Sequence, residues 1–360
     1  MAGVSDGRPR IGIIGTGWWA TQWHIPSLVG YEGAELVALC DRDPDQLAAA
    51  QAAYDVAHAF GSHEELLAAD VVDGVVLTLP HAVHYRVAKD ALEAGVHVLV
   101  EKPMVIHAAE AWDLVDTASR KDLHLMVGYT GHFHASAQWL RQQIQAGAIG
   151  ELLHVQTLMA TSVEPFYRGD TGGEDIPGGF RVTGPGTRTY ADPSLGGGQA
   201  LTQVTHALGM VTWVTGDRPE RVVAFVNRHD LEVDLTDAIA YRFAGGALGV
   251  MSSTGSVARQ SPKQQEFRYY GTEGIALHDV SAGVATVSPN GADPVTVGPT
   301  EQEDATPAPY RTGRGFADLI AGRAENHAPG VPAAHTVELI EAALRSAETG
   351  QPVRIDDLVD

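Results

Sequence analysis

Three residues of this 360-residue chain carry side chains that could move a proton at a carbon–oxygen bond. Lys102 sits in Glu101-Lys102-Pro103, at the end of an apolar run. Thr202 and His206 lie four apart, in a segment that follows Gly196-Gly197-Gly198. A desolvated lysine facing a substrate polarises a hydroxyl or helps to move its proton. A histidine at the open end of a helix can serve as general acid or base. Spacing of four stacks Thr202 and His206 on one helix face. Against this stand plainer readings: a strand-ending turn for the tripeptide and a buried, satisfied histidine at 206.

Oxidising an alcohol also needs a hydride acceptor, and the N-terminal third supplies the pattern for one. Gly15-Thr16-Gly17-Trp18-Trp19-Ala20 follows a strand-like run and opens a helix, in the form G-x-G-x-x-A. Such glycines let backbone approach a pyrophosphate, and the helix start offers free N–H groups to it. Asp41 ends the second strand-like run, where a carboxylate accepts from ribose hydroxyls and repels a 2′-phosphate. The cofactor expected is therefore NAD rather than NADP, with Arg42 as the one residue that could soften the choice. Ligands of doubly wound sheets lie at the carboxyl ends of the strands. The cofactor residues expected are Gly15, Thr16, Gly17, Trp18, Trp19, Asp41, Arg42, Leu79, Pro80, His84, Glu101 and Lys102, with His81 nearby.

The elements that must position these groups follow from periodicity. Strand-like runs at Arg10–Ile14, Glu35–Leu39, Gly74–Leu79, His97–Val100 and Leu123–Val127 alternate with helical stretches at Asp43–Tyr54, His84–Ala94 and Ala108–Lys121. That rhythm means parallel βαβ units, and unbroken apolar runs suit strands buried on both faces. Beyond Tyr129 one more helix is expected at His134–Gln145. Strands follow at Leu152–Met159, Val222–Asn227, Ala238–Phe243, Ala247–Ser253 and Phe267–Tyr270, with few helices between them. This predicts a mainly antiparallel sheet, joined by helices at Gln199–Thr215 and Thr336–Thr349. Glu164–Leu195 is rich in glycine and proline and reads as an irregular, functional segment, and Gly298–Pro309 as a second loose stretch. The fold class is thus α/β: an N-terminal Rossmann domain over 1–128 and a C-terminal domain with a large open sheet over 129–360.

Composition narrows the partners. A formal net charge of −21 disfavours nucleic acid and anionic membrane. No apolar run of membrane-spanning length appears, and Met1–Arg10 reads as a loose tail rather than a signal peptide. Cys40 is the single cysteine, which excludes an intrachain disulfide and suits a reducing cytoplasm. No metal-ligand pattern is read.

These motifs together resemble the Gfo/Idh/MocA oxidoreductases. The resemblance runs from Gly15-x-Gly17-x-x-Ala20 through Glu101-Lys102-Pro103, Gly147–Glu151 and the Gly196–Gly198 helix with His206. It continues to Tyr270–Gly274 and Ser346–Val353. It implies NAD(P) between a Rossmann domain and an α/β domain with an open antiparallel sheet, Lys102 beside the reacting hydroxyl, and a homo-oligomer, dimer or tetramer, built on the open sheet face. The implied activity is dehydrogenation of a secondary hydroxyl on a sugar or cyclitol. Two departures stand out. Many members carry an aspartate where this chain has Thr202, and an arginine where it has His132. Substrate contacts are expected from Lys102, His132, Tyr167, Arg188, Tyr190, Thr202 and His206, with Arg168 and Arg181 also in the irregular segment. A second reading, a redox-neutral NAD-dependent glycosidase or lyase with an anionic sugar among its candidate substrates, needs a further base from Tyr129, His132, Tyr167 or Tyr190. A third, a nucleotide-binding sensor without catalysis, leaves Lys102 and His206 unused.

Overall fold

The structure, a computed structural model, describes residues 7–170, 188–258, 261–301, 303 and 306–358. Its first sheet holds β1 (Arg10–Ile14), β2 (Glu35–Cys40), β3 (His58–Phe60), β4 (Gly74–Leu77), β5 (His97–Val100) and β6 (Leu125–Val127). All pairings are parallel, in the order β3-β2-β1-β4-β5-β6. This is the doubly wound order, and it reverses between β1 and β4, where a crevice opens beyond the strand ends. The central strands are buried, as their unbroken Ile and Val runs require.

The crossover helices are α1 (Ile25–Leu28, preceded by a π-helical turn Ala20–His24), α2 (Pro44–Tyr54), α3 (His63–Ala68), α4 (His84–Glu93) and α5 (Ala108–Lys121). Helix α2 starts as its sequence dictates. The Asp43 carboxylate accepts from the N–H groups of Asp45 and Gln46, and Pro44 takes the first helical position.

The second sheet contains β7 (Leu152–Ala160), β8 (Pro219–Asn227), β9 (Thr236–Phe243), β10 (Leu248–Thr254), β11 (Gln264–Gly271), β12 (Gly274–Asp279), β13 (Val284–Pro289), β14 (Val295–Val297) and β15 (Val353–Arg354). Their order is β14-β13-β12-β11-β7-β10-β9-β8-β15. Every pairing is antiparallel except β10 with β7, so the sheet is mixed but mainly antiparallel. Residues alternate strictly. Ile239, Tyr241, Phe243, Met251, Phe267 and Tyr269 turn to one covered face, under helices α6 (Ala135–Gln145) and α8 (Thr205–Thr215) and the last helix, α10 (Gly330–Thr349). The opposite face is open and carries Leu153, Phe225, Leu248, Ile275 and Leu277, with Phe225 80% exposed.

Three features depart from the periodicity reading. The fourth strand stops at Leu77, because Thr78–Pro80 turns into the crevice. The Gln199–Thr215 segment is a π-helical turn, Ala200–Val204, running into α8. Glu164–Leu195 includes a short helix, α7 (Glu164–Tyr167). One more helix, α9 (Ala308–Ile320), and the first half of α10 return to the Rossmann layer. There Phe316, Ala317, Ala333, Ala334 and Val337 join the first core.

Candidate active site

The glycine loop sits at the reversal point. Gly15 has φ +94°, and a Cβ there would stand 2.5 Å from the Thr78 carbonyl oxygen, so only glycine fits. Gly15 N–H donates to Cys40 O (2.8 Å), and the Thr78 hydroxyl donates to Gly15 O (2.6 Å). These bonds fasten the loop to the ends of β2 and β4. Gly17 is open, since a Cβ there would meet only Gln46 Nε2 at 3.9 Å. Thr16 donates its N–H (2.7 Å) and hydroxyl (3.0 Å) to one Asp41 oxygen, and the other accepts from Asp43 N–H (2.9 Å). Arg42 is exposed. Leu79 lies against Gly15, and Leu79 and Pro80 line the crevice half-buried. A bare backbone at Gly17, a helix start behind it and an acid at the end of β2 fit a dinucleotide.

On the next strand end Glu101 is buried and fully engaged. One oxygen accepts from Trp19 Nε1 and His24 Nε2, both at 2.8 Å, and the other from Lys102 N–H at 3.2 Å. Burial alone would raise its pKa; His24 first, then Lys102 and Trp19, hold it below the ordinary carboxylate value. Glu101 therefore positions Trp19 and balances Lys102. Lys102 is 8% exposed and donates from Nζ to the carbonyl oxygen of Thr202 at 3.2 Å. Burial lowers its pKa and Glu101 partly opposes this. His84 lies beneath, fully buried. Its two ring nitrogens stand 2.9 Å from the carbonyl oxygens of Pro103 and Leu79, so it ties the two strand ends together. His81 donates from Nδ1 to Gly196 O (2.7 Å), linking the Rossmann crevice to the glycine run.

The turn that carries Thr202 is held in part by Asp234 and Asp237, which the sequence reading did not single out. Asp234 caps it, accepting from Ala200 N–H at 2.6 Å. Asp234 and Asp237 are buried together, and burial holds both above the ordinary carboxylate range, Asp237 further because it faces Asp234. Gln199 donates to Ser253 Oγ (2.7 Å) and lies 2.8 Å from Tyr167 Oη. The Thr202 hydroxyl donates to Gly198 O (2.7 Å) and is 2.6 Å from Tyr167 Oη. Thr202 and Tyr167 are both buried. Their hydroxyls hold the helix start together and are spoken for.

His206 differs. It is partly exposed, and neither ring nitrogen has a hydrogen-bond partner among the described residues. Burial lowers its pKa well below the ordinary histidine value, and Lys102, Lys263 and His132 lower it further. It is therefore neutral near pH 7. Tyr129 stands edge-on to it at 6.3 Å, with its own hydroxyl 3.1 Å from Thr205 Oγ1. His132 lies behind Tyr129, stacked on Trp213 at 4.3 Å and donating to His327 O. It is 2% exposed, and burial takes its pKa down to about 3.

The structure thus sets Lys102 against Thr202, one turn before His206, and, through Glu101 and Trp19, beside the glycine loop. Tyr190 packs edge-on against His81 (6.0 Å), and Phe166 bridges it to Trp18 at 6.0 and 6.3 Å. Arg188 and Arg168 are not brought to Lys102. Arg188 is exposed and paired with Asp192 at 3.0 Å, and Arg168 is clamped by Asp230 and Glu164 at the surface. Arg181 lies outside the described residues. Among the expected extra bases, Tyr129 and Tyr167 are buried with their hydroxyls engaged, His132 is buried with Nδ1 engaged and Nε2 without a partner among the described residues, and Tyr190 is half-buried. No helix among the described residues is long and apolar enough to cross a membrane.

The chain matches two family descriptions: "Oxidoreductase family, NAD-binding Rossmann fold" over residues 9–129 and "GFO/IDH/MocA C-terminal domain" over 137–277. It is 26% identical to D-xylose 1-dehydrogenase (NADP(+)) 2 of Haloferax volcanii, over 96% of this chain and 99% of that protein. It is 29% identical to the uncharacterized oxidoreductase ORF334 of Rhizobium meliloti, over 60% of this chain and 58% of that protein. The chain thus spans little more than half of that relative. Among solved structures it resembles the WlbA dehydrogenase of Bordetella pertussis, in complex with NADH and UDP-GlcNAcA. The TM-score is 0.76 at 22% identity, covering 96% of this chain and 98% of the other.

Proposed function

We propose, from the premise that this chain belongs to the Gfo/Idh/MocA oxidoreductase family, that it oxidises a secondary hydroxyl of a sugar or cyclitol with NAD. The observation that carries this reading is the pairing, in one cleft, of a buried lysine with a neutral, unpartnered histidine. When bound, the nicotinamide accepts the hydride that leaves the carbinol carbon. Lys102, with Glu101 as its neighbouring counter-charge, holds the substrate oxygen and steadies the charge that grows on it. The hydroxyl proton goes to His206, whose free ring nitrogen accepts it. Thr202 takes no proton, since its hydroxyl is already donated to Gly198 O; it serves by its carbonyl, which fixes Lys102 Nζ. Trp18, Phe166 and Tyr190 give a sugar ring an aromatic wall to lie against.

Asp41 supports NAD over NADP, because a 2′-phosphate would meet its carboxylate at the end of β2. The open sheet face, with Phe225 at 80% and Leu153 at 53% exposure, supports a homo-oligomer built there, which sedimentation of a Phe225→Asp variant checks. The test of the reaction is incubation with NAD and a panel of sugars, cyclitols and aryl glycosides, following absorbance and released aglycone. Stoichiometric NADH is expected. Many aglycone turnovers per NAD with no NADH accumulating would overturn the assignment in favour of redox-neutral cleavage.

A further inference from the structure

Lys263 stands immediately before β11, and the alternation of that strand fixes its direction. Gln265, Phe267 and Tyr269 are buried on the helix-covered face, whereas Gln264 and Arg268 are exposed. Period two puts Lys263 with the buried set. Gln264 pairs with Ala160 of β7, so the next step of the register brings Lys263 opposite Thr161. Thr161 belongs to the same face, two residues on from the buried Met159. It is 4% exposed, and its hydroxyl has no hydrogen-bond partner among the described residues.

This end of the sheet is also where the helix of the reacting histidine begins. Ser253, near the end of β10, accepts from Gln199, and a Cβ at Gly255 would stand 2.8 Å from Gln199 Oε1. Lys263 therefore opens toward the cleft of Lys102 and His206. Lys263 is exposed, and its charge acts on Lys102, His206 and His134. Among the described residues no carboxylate is ion-paired with it. Burial and Lys102 bring its pKa down to about 8. In a chain of net charge −21, two lysines and a histidine face one cleft, and the acid beside them, Glu101, is already held by Trp19 and His24.

We propose that Lys263 and the hydroxyl of Thr161 bind a carboxylate carried by the substrate, so that this enzyme acts on a sugar acid rather than a neutral sugar. The proposal rests on the reading of Lys102 and His206 as the reacting pair. One ammonium and one hydroxyl match the two oxygens of a carboxylate. A bound carboxylate also removes the repulsion between Lys263 and Lys102. A neutral ring would leave both the charge and the buried hydroxyl uncompensated.

The test is calorimetric titration of the NAD-loaded enzyme with D-glucuronate and D-galacturonate, beside D-glucose, D-galactose and D-glucose 6-phosphate. At least one uronate should bind roughly tenfold or more tightly than its neutral counterpart. Lys263→Met keeps the apolar stem of an exposed residue and should erase that preference while leaving NAD binding unchanged. Thr161→Val should reduce it by less. Equal or tighter binding of the neutral sugars, preference for the phosphate, no binding of any uronate, or a Lys263→Met variant that binds uronate like the unaltered enzyme would each overturn the proposal. The two readings fail separately. NADH formed from neutral sugars, indifferent to Lys263→Met, leaves the dehydrogenase and removes the carboxylate site. Uronate binding that depends on Lys263 without any NADH leaves the site and removes the reaction.

Discussion

Placing a methyl group at Gly15 or at Gly17 should have opposite consequences for folding and similar ones for cofactor use. At Gly15 the new Cβ would lie 2.5 Å from Thr78 O and 3.1 Å from Leu79 Cδ2. Ordinary contact begins near 3.4 Å, so the loop must withdraw by 3.4 − 2.5 = 0.9 Å. Alanine at φ +94° adds about 1–2 kcal/mol of backbone strain. The bonds from Thr78 to Gly15 and from Thr16 to Asp41 would stretch, at about 1 kcal/mol each. Gly15→Ala should therefore lose about 3 kcal/mol of stability in urea unfolding. Misplacement of the loop by nearly an ångström should lower kcat/KM for NAD roughly a hundredfold. At Gly17 the methyl meets only Gln46 Nε2 at 3.9 Å and φ is not in the left-handed region. Gly17→Ala should leave stability unchanged or raise it by about 0.5 kcal/mol, through the unfolded chain. It should still weaken NAD binding, because the methyl takes the space over which the pyrophosphate passes. Calorimetry with NAD and urea unfolding read both effects. Normal NAD affinity in Gly17→Ala, or full stability in Gly15→Ala, would refute this account of the loop.

Lys102→Met and His206→Asn should each lower kcat roughly a hundredfold or more with NAD affinity nearly intact, as single-turnover kinetics and calorimetry would show. The acid limb of kcat/KM should lie well below pH 6.5, because burial and the neighbouring cations keep His206 neutral. Asp41→Ser should narrow the preference for NAD over NADP, measured as the ratio of kcat/KM values; an unchanged ratio would move the choice to Arg42. Acid stability follows from His132 and His278, both taken down to about 3 by burial. The unfolded chain protonates them near pH 6.5 and the folded chain does not. Their contribution is therefore whole above that pH and is lost as pH falls, by about 1.4 kcal/mol per unit for each histidine. Urea midpoints between pH 7 and 4 check this, and a His278→Gln variant should flatten the decline.

The Rossmann half was legible because its signals are local. A fixed glycine spacing, an acid after the second strand and the Asp43-Pro44 start of α2 all act within a few residues. The second half was legible in class but incomplete in detail. Strands β12 to β14 are short and lie beyond the last strong apolar run, and α9 follows a polar stretch, so neither shows a clear period. That α9 and α10 pack back against β4 and β6 depends on contacts across most of the chain. At the site, residue type pointed to Lys102, Thr202 and His206, and the structure sets Lys102 Nζ on the carbonyl of Thr202, one turn before His206. Direction could not be read. Tyr167 and His132 turn inward, and Arg168 and Arg188 find surface acids. Asp234 and Lys263 carry no motif at all. Alternation at the start of β11 was the signal that could have drawn attention to Lys263.

With Thr202 where the family resemblance implies an acid, we propose that the proton goes to His206, and hydrogen-bond direction supports this. A threonine hydroxyl has one proton to give. Here it is given to Gly198 O, and Tyr167 occupies the other side of the oxygen. Threonine leaves Glu101 as the counter-charge to Lys102, and leaves the Thr202 carbonyl as the acceptor that fixes Nζ. Without an acid next to it, His206 has nothing to raise its pKa and three cations or potential cations to lower it. On the proposed reading, the threonine that removes one proton acceptor therefore keeps His206 neutral, and so able to accept, over a wider range of acid pH.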